Sequence, residues 1–285
     1  MKSYFKLLRV HHYLKNLLVF AALACSGQFF DITKLTSAVV GFFAFCAAAS
    51  VVYIINDIRD AEKDRNHPKK STRPIASGKV SVRVAYVLAA ILVVVAAVCC
   101  FIAKNMYASL LLGLYLFINI GYSLGLKTLP LVDITLLVAG FLIRIVFGAV
   151  LTGIEISNWL YLTVIAVAFY FALGKRRNEL KQLGDGTREV LKSYTVAFLD
   201  KSMLMCLTLA NVFYALWSMD ENTVLMYDTK YLIFTVPIVL LITMKYSLDI
   251  EGESDGDPID VLLHDKILIA LCAIYLAVMF LILYL

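Results

Sequence analysis

Long apolar runs recur along the chain, separated by short polar stretches, at roughly 14–30, 36–56, 84–103, 106–124, 131–151, 157–174, 200–219, 230–247 and 267–285. Each is about 17 to 25 residues, enough for an α-helix to cross a hydrocarbon core about 30 Å thick. The pattern predicts an all-α integral membrane protein with nine transmembrane helices, read as a single domain over 1–285. His11, His12, Lys15 and Asn16 lead into the first run. No small-residue cleavage site follows it, so the segment is read as retained.

The second run breaks the simple pattern. It predicts a helix from about Lys34 to Asn66, some 30 residues and about 45 Å long, which outreaches the membrane core. Its last turns therefore protrude, and they open the stretch NDIRDAEKDRNHPKKSTRPIASG from Asn56 to Gly78. Asp57, Asp60 and Asp64 follow at i, i+3 and i+7, which places them on one helix face. Three stacked anions repel one another and also face the negative end of the helix dipole. A hard divalent cation such as Mg²⁺, completed by water and a substrate's phosphates, answers that charge. His67 and Arg73 each precede a proline and leave the α region, so a loop carrying Lys69, Lys70 and Arg73 follows the acidic face. The plainer alternative is a solvated helix end balanced by Arg59, Lys63 and Arg65. Against it, Asn56 and Asp57 come directly after the apolar VVYII, where ionisable groups are costly without partners.

Composition strengthens the membrane reading: 61% of residues are hydrophobic, 16% are charged and mean hydropathy is +0.84. Basic residues then set orientation. With a cytoplasmic N-terminus, that side receives Lys2, Lys6 and Arg9, eight Lys/Arg between Arg59 and Arg83, Lys127, and seven between Lys175 and Lys201. The other side receives only Lys34, Lys104 and Lys230. This predicts a multi-pass protein of the inner (plasma) membrane, with its active face in the cytoplasm and its C-terminus outside. The net charge of +5 then follows from topology and calls for no nucleic acid. All six cysteines fall in apolar runs without a C-x-x-C pair and read as small buried hydrophobes.

Other polar positions carry weaker signals. Lys15 and Asn16 stand where the first helix enters the bilayer, and Tyr122 and Lys127 close the fourth in YSLGLK; interfacial anchoring would explain each. Arg144 lies deep in the fifth run, where a cation needs a carboxylate, a carbonyl cluster or a hydrated cavity and marks a functional site by default. After helix six, Lys175, Asn178 and Glu179 share a face with Arg176 beside them, a pattern that fits either topology or phosphate binding. Asp249, Glu251, Glu253, Asp255, Asp257, Asp260 and Asp265 crowd the last connection, either as a solvated loop or as a second metal-facing or gating element.

The N-D-x-x-D-x-x-x-D pattern from Asn56 to Asp64, nine spans and a charged connection after helix six resemble the UbiA superfamily of intramembrane prenyltransferases. KNLLVF at Lys15, YIINDIRDAEKDRNHPKKSTRPIASG from Tyr53, YSLGLK at Tyr122, GKRRNEL at Gly174, LKSYT at Leu191 and SLDIEG are similar, more narrowly, to the members that phosphoribosylate decaprenyl phosphate. The resemblance implies a UbiA-type bundle with a cytoplasm-facing central cavity. It also implies Mg²⁺-dependent transfer of 5-phosphoribosyl from phosphoribosyl diphosphate (PRPP) to a polyprenyl phosphate, releasing diphosphate with inversion at ribose C1. Asn56, Asp57, Asp60 and Asp64 would hold the metal, with Asp57 and Asp60 central to catalysis. Lys15, Asn16, Lys70, Arg73, Tyr122, Lys127, Arg144, Lys175, Arg176, Glu179 and Tyr194 would bind substrate phosphates or support that binding. Members that prenylate aromatic acceptors usually carry a second Asp-rich motif where this chain has GKRRNEL. An aromatic acceptor must lose a proton, whereas a lipid phosphate is already an anion and needs cations beside it. A UbiA-type aromatic or quinone-pathway prenyltransferase and an ion-coupled transporter stand as alternatives, and homo-oligomerisation stays open.

Overall fold

The computed structural model describes residues 2–66, 70–184, 188–252, 261, 262 and 264–284. His67 and Lys69, together with Glu253, Asp255, Asp257 and Asp260, lie outside them. The described residues form helices joined by short turns, with no strand among them. Helix α1 (Lys2–Leu8) leads into a 3₁₀ segment, Val10–Phe20, and the short α2 (Ala21–Ala24). There follow α3 (Ile32–Arg59), α4 (Ala61–Arg65), α5 (Val82–Ala103), α6 (Met106–Leu124), α7 (Val132–Thr152) and α8 (Asn158–Leu183). The chain continues with α9 (Val196–Met219), α10 (Glu221–Tyr227), α11 (Val236–Glu251) and α12 (Lys266–Tyr284).

Among the described residues, eight helices are long and apolar enough to cross a membrane, and the protein is multi-pass. They match the predicted second to ninth spans. The predicted first span is instead wound as the 3₁₀ segment and α2. At about 2.0 Å rise per 3₁₀ residue and 1.5 Å per α residue, that segment reaches about 28 Å with fewer residues than an α-helix would need.

The predicted helix to Asn66 also differs. It stops at Arg59, Asp60 has φ −88° and ψ 1°, and α4 begins at Ala61. Helical i→i−4 bonds flank the break, from Asp60 N to Asn56 O (2.9 Å) and from Asp64 N to Asp60 O (2.8 Å). Asp57 and Asp64 would lie about 10.5 Å apart along an unbroken helix. One guanidinium nitrogen nevertheless touches both, and the break falls between them.

Residues group into two compact units, 1–124 with 143–155 and 125–142 with 156–285. In the first unit, the alanine-rich middle of α3 (Ala44, Ala47, Ala48, Ala49) packs with Phe45, Val19, Ala96, Leu112, Tyr115 and Phe147. Small residues let helix backbones approach closely, which stands in for the hydrophobic drive that lipid cannot supply. The buried residues of α5 are Ala85, Ala89 and Ala96, while Val87, Ile91, Val94, Val98 and Phe101 are exposed. That split is what a helix with one protein-facing and one lipid-facing side requires. A second cluster, around Leu7, Ile54, Ala61, Ile75 and Val80, docks α1 beside the end of α3.

Gly148 marks the tightest approach in this unit: a Cβ there would lie 1.9 Å from the carbonyl oxygen of Val19, a backbone atom. Gly148→Ala is therefore expected to lower stability by about 1–3 kcal/mol, as overpacking does. Thermal unfolding in detergent reads this directly, and an unchanged midpoint would contradict it.

In the second unit, α8 and α9 frame a core of Ile134, Val138, Tyr170, Leu173, Leu191, Leu199, Met203, Tyr246 and Ile250. The 3₁₀ turn Glu189–Ser193 is built into that core through Val190 and Leu191. It thereby fixes the residue that follows, Tyr194.

Candidate active site

In the first unit the acidic ladder meets two arginines. Asp57 is 2% and Asp64 is 4% exposed, so each carboxylate needs a counter-charge within reach. Arg73 supplies one to both: its Nη1 lies 3.2 Å from Asp57 Oδ1 and 2.7 Å from Asp64 Oδ2. Arg9 Nη2 adds a second contact to Asp57 Oδ1 at 2.6 Å, with its guanidinium 4.8 Å above the Tyr53 ring. Arg9 has a left-handed backbone (φ 52°) between α1 and the 3₁₀ segment, and the fully buried Leu7 anchors it. Asn56 Oδ1 accepts a long bond from Ser123 Oγ (3.4 Å), while Asp60 and Lys70 are half-buried.

The donor set suits a hard cation. Among the described residues no three His, Cys, Asp or Glu groups converge at metal distance. Mg²⁺, however, is commonly held by one or two carboxylates, with water and substrate phosphates completing its shell. Arg73 Nη1 demonstrates that one positive centre can reach the carboxylates of Asp57 and Asp64 together. Asp57 and Asp64 can therefore share one cation, which is what the predicted magnesium asks of these two carboxylates.

Also in the first unit, Arg144 and Asn16, far apart in sequence, are brought together. Arg144 Nε donates to Asn16 Oδ1 (2.9 Å) and Nη2 to Tyr115 Oη (3.1 Å). The guanidinium faces the rings of Phe45 and Tyr115 at 5.0 and 4.9 Å. Asn16 Nδ2 in turn donates to Cys46 Sγ (3.2 Å). An amide oxygen, a phenol and two π faces thus meet the needs expected of a deep cation. Lys15 and Tyr122 are half-buried.

In the second unit the structure separates residues that the sequence groups together. Arg176 is fully buried and held by Asp133 Oδ2 through Nε (2.6 Å) and by Glu179 Oε2 through Nη1 (2.7 Å). Arg188 Nη2 reaches the other oxygen of Glu179 at 3.2 Å. The Tyr194 hydroxyl donates to Asp133 Oδ1 (2.7 Å) and accepts from the Leu131 N–H (2.6 Å). Arg177 pairs with Asp200 (2.8 Å), and Asn178 Nδ2 donates to Ile250 O (2.8 Å). Lys127 and Lys175 are half-buried, and the Lys175 charge also acts on Glu179. Of the acidic last connection, Asp249 and Asp265 both pair with Lys245, the latter at 2.8 Å.

Burial and the bond to Asp133 push the Tyr194 phenol up to about 12. A folded value above the unfolded one means that this contribution to stability is complete below about pH 10. It is lost as pH rises toward about 12. The stability difference between wild type and Tyr194→Phe should thus stay level from pH 8 to 10 and shrink above it. Unfolding midpoints across pH 8–11.5 test this, and a difference that widened above pH 10 would contradict it.

The family model described as the UbiA prenyltransferase family matches residues 17–262. The chain belongs to the UbiA prenyltransferase family. Its curated relatives include decaprenyl-phosphate phosphoribosyltransferases of Corynebacterium glutamicum and Mycolicibacterium smegmatis. The first is 34% identical, over 96% of this chain and 85% of the relative. The second is 35% identical, over 92% of this chain and 86% of the relative. A solved UbiA homolog from Archaeoglobus fulgidus, bound to GPP and Mg²⁺, superposes with a TM-score of 0.73 at 20% identity, covering 99% of this chain and 100% of that one. This bears out the all-α UbiA fold and the resemblance seen in the Asn56–Asp64 motif. With phosphoribosyltransferase relatives of near full length, this UbiA family member is a transferase.

Arg9, Tyr115, Asp133 and Arg188 were not foreseen as parts of these clusters. Asp133 alone carried a signal, as a carboxylate at the start of a predicted helix three residues after Pro130.

Proposed function

We propose that this UbiA family member transfers 5-phosphoribosyl from PRPP to a polyprenyl phosphate of decaprenyl type, releasing diphosphate, and that residues 1–285 act as one transferase domain. One observation carries the choice of acceptor. Where aromatic-prenylating members carry a second acidic ladder, this chain has GKRRNEL, and the single carboxylate there, Glu179, is engaged by Arg176 and Arg188. No carboxylate of that segment is left to take a proton from an aromatic ring. An anionic lipid phosphate needs none.

In the first unit, Asn56, Asp57, Asp60 and Asp64 would hold Mg²⁺, which when bound neutralises charge on the leaving diphosphate as the C1–O bond breaks. Arg73 and Lys70 follow the ladder in sequence and would grip the diphosphate. Arg9 can move from Asp57 to the same anion. Arg144, oriented by Asn16, would receive a further phosphate with Lys15, and Tyr122 would hydrogen-bond one. In the second unit, Lys127 and Lys175 would receive the acceptor phosphate. An acceptor oxygen attacking opposite the departing diphosphate inverts C1. The polyprenyl tail stays in lipid, with the N-terminus and the acidic ladder cytoplasmic, as the basic-residue asymmetry supports.

Purified protein in detergent or liposomes, given labelled PRPP, a polyprenyl phosphate and Mg²⁺, should form a phosphoribosyl lipid. Product from a prenyl diphosphate and hydroxybenzoate, with none from the first pair, would overturn the proposal in favour of aromatic prenylation.

A further inference from the structure

Arg176, Asp133, Glu179 and Arg188 form a group of two guanidiniums and two carboxylates, joined by contacts of 2.6, 2.7 and 3.2 Å. Its charge closes internally, and Arg176 and Asp133 are both fully buried. A group already balanced in this way has no electrostatic need of a substrate phosphate. It does have a mechanical connection. The Tyr194 hydroxyl donates a hydrogen bond to Asp133 and accepts one from the Leu131 N–H. Leu131 holds φ 63°, a left-handed conformation that a branched side chain rarely adopts unless its surroundings impose it.

Leu131 closes the turn that carries Lys127. Pro130 precedes it, and Leu129 is extended (φ −87°, ψ 126°), as a residue before proline must be. Within the turn, Thr128 N donates to Gly125 O (3.0 Å), Leu129 N to Leu126 O (3.2 Å) and Asp133 N to Leu129 O (3.1 Å). Lys127 lies inside the short 3₁₀ element Leu126–Thr128. A rigid turn of this kind transmits the position of Leu131 to Lys127, and the Tyr194 hydroxyl determines where Leu131 is held. Arg176 places the same Asp133 against α8, directly beside Lys175 in sequence.

We infer that Asp133, Tyr194 and Arg176 are positioning residues: they fix the Lys127 turn for an anionic acceptor and do not themselves contact a substrate. This rests on the assignment of Lys127 to the acceptor phosphate. It differs from a general structural role because it predicts an effect on one substrate only, acting through one residue.

The test compares wild type, Tyr194→Phe, Lys127→Ala and the double variant of the full-length protein in detergent. Dissociation constants are measured separately for a polyprenyl monophosphate and for PRPP with Mg²⁺. Tyr194→Phe keeps the ring that stacks on Phe198 (6.0 Å, 3°) and removes only the hydroxyl. It should weaken acceptor binding about tenfold, the scale of one buried hydrogen bond, and leave PRPP binding within about twofold. The double variant should bind acceptor no more weakly than Lys127→Ala alone. Independent, multiplying losses, equal losses for both substrates, or unchanged acceptor binding in Tyr194→Phe would each overturn the inference. If Tyr194→Phe does not purify folded, Leu131→Gly, which tolerates the positive φ and loosens the same turn without touching a buried ion pair, takes its place with the same expectations. Wild-type protein that neither binds polyprenyl phosphate nor makes phosphoribosyl lipid would sink the proposed reaction itself. Normal wild-type turnover with an unaffected Tyr194→Phe would sink only the network.

Discussion

Asp57→Asn is expected to reduce turnover by about 10²–10³-fold or more, on the scale of losing one preorganised electrostatic contact to the reacting group, in a protein that still folds and inserts. Asparagine is close in shape and keeps an oxygen that can accept from Arg9 Nη2 and Arg73 Nη1, now at 2.6 and 3.2 Å from Asp57 Oδ1. What it removes is the charge. Among the described residues of the ladder, Asp64 is then the one buried carboxylate left, beside Arg73, so the ladder loses its attraction for a divalent cation. Turnover measured against Mg²⁺ concentration, with the unfolding midpoint as control, reads both halves of the expectation. A variant with full activity and an unchanged Mg²⁺ dependence would remove Asp57 from the metal site.

Arg176→Ala should behave in the opposite way, with stability failing first. Deleting one partner of a buried pair leaves uncompensated charge and typically loses about 3–5 kcal/mol. Here Asp133 would lose its ion-pair partner, and Glu179 would keep the half-exposed Arg188 and the charge of Lys175. Low yield and a sharply lowered unfolding midpoint in detergent are the expected outcome. Lys175→Ala, one residue earlier and half-buried, should fold normally and weaken a phosphate-bearing substrate. An Arg176→Ala protein as stable as wild type and defective only in phosphate binding would return Arg176 to the substrate-contact role that its place in GKRRNEL suggests.

These two substitutions mark where reading the sequence succeeds and where it stops. Span positions follow from hydropathy over windows of about 20 residues, and eight of the nine runs became long helices for that reason. The acidic ladder was legible in part: helical spacing puts Asp57 and Asp64 on one face, but the break at Asp60 that lies between them leaves no mark in that spacing. The N-terminal run is apolar enough to count as a span, but hydropathy does not distinguish 3₁₀ from α winding, and the backbone of Arg9 turns left-handed at its start. Partners were the least legible feature. Arg9 meets Asp57 across 48 positions and Arg176 meets Asp133 across 43, separations at which packing, not periodicity, decides who touches whom. For the same reason GKRRNEL reads as a uniform basic patch, although its two arginines are buried in ion pairs and its lysine is half-buried.

The central claim is that a lipid phosphate oxygen displaces diphosphate from ribose C1. It is tested most directly by supplying wild-type protein with Mg²⁺, PRPP and polyprenyl phosphate labelled with ¹⁸O in its phosphate. One phosphoribosyl lipid should form for each diphosphate released, with every ¹⁸O retained in the lipid product and an inverted configuration at C1. Diphosphate carrying ¹⁸O, or diphosphate released at the same rate without the lipid, would contradict it.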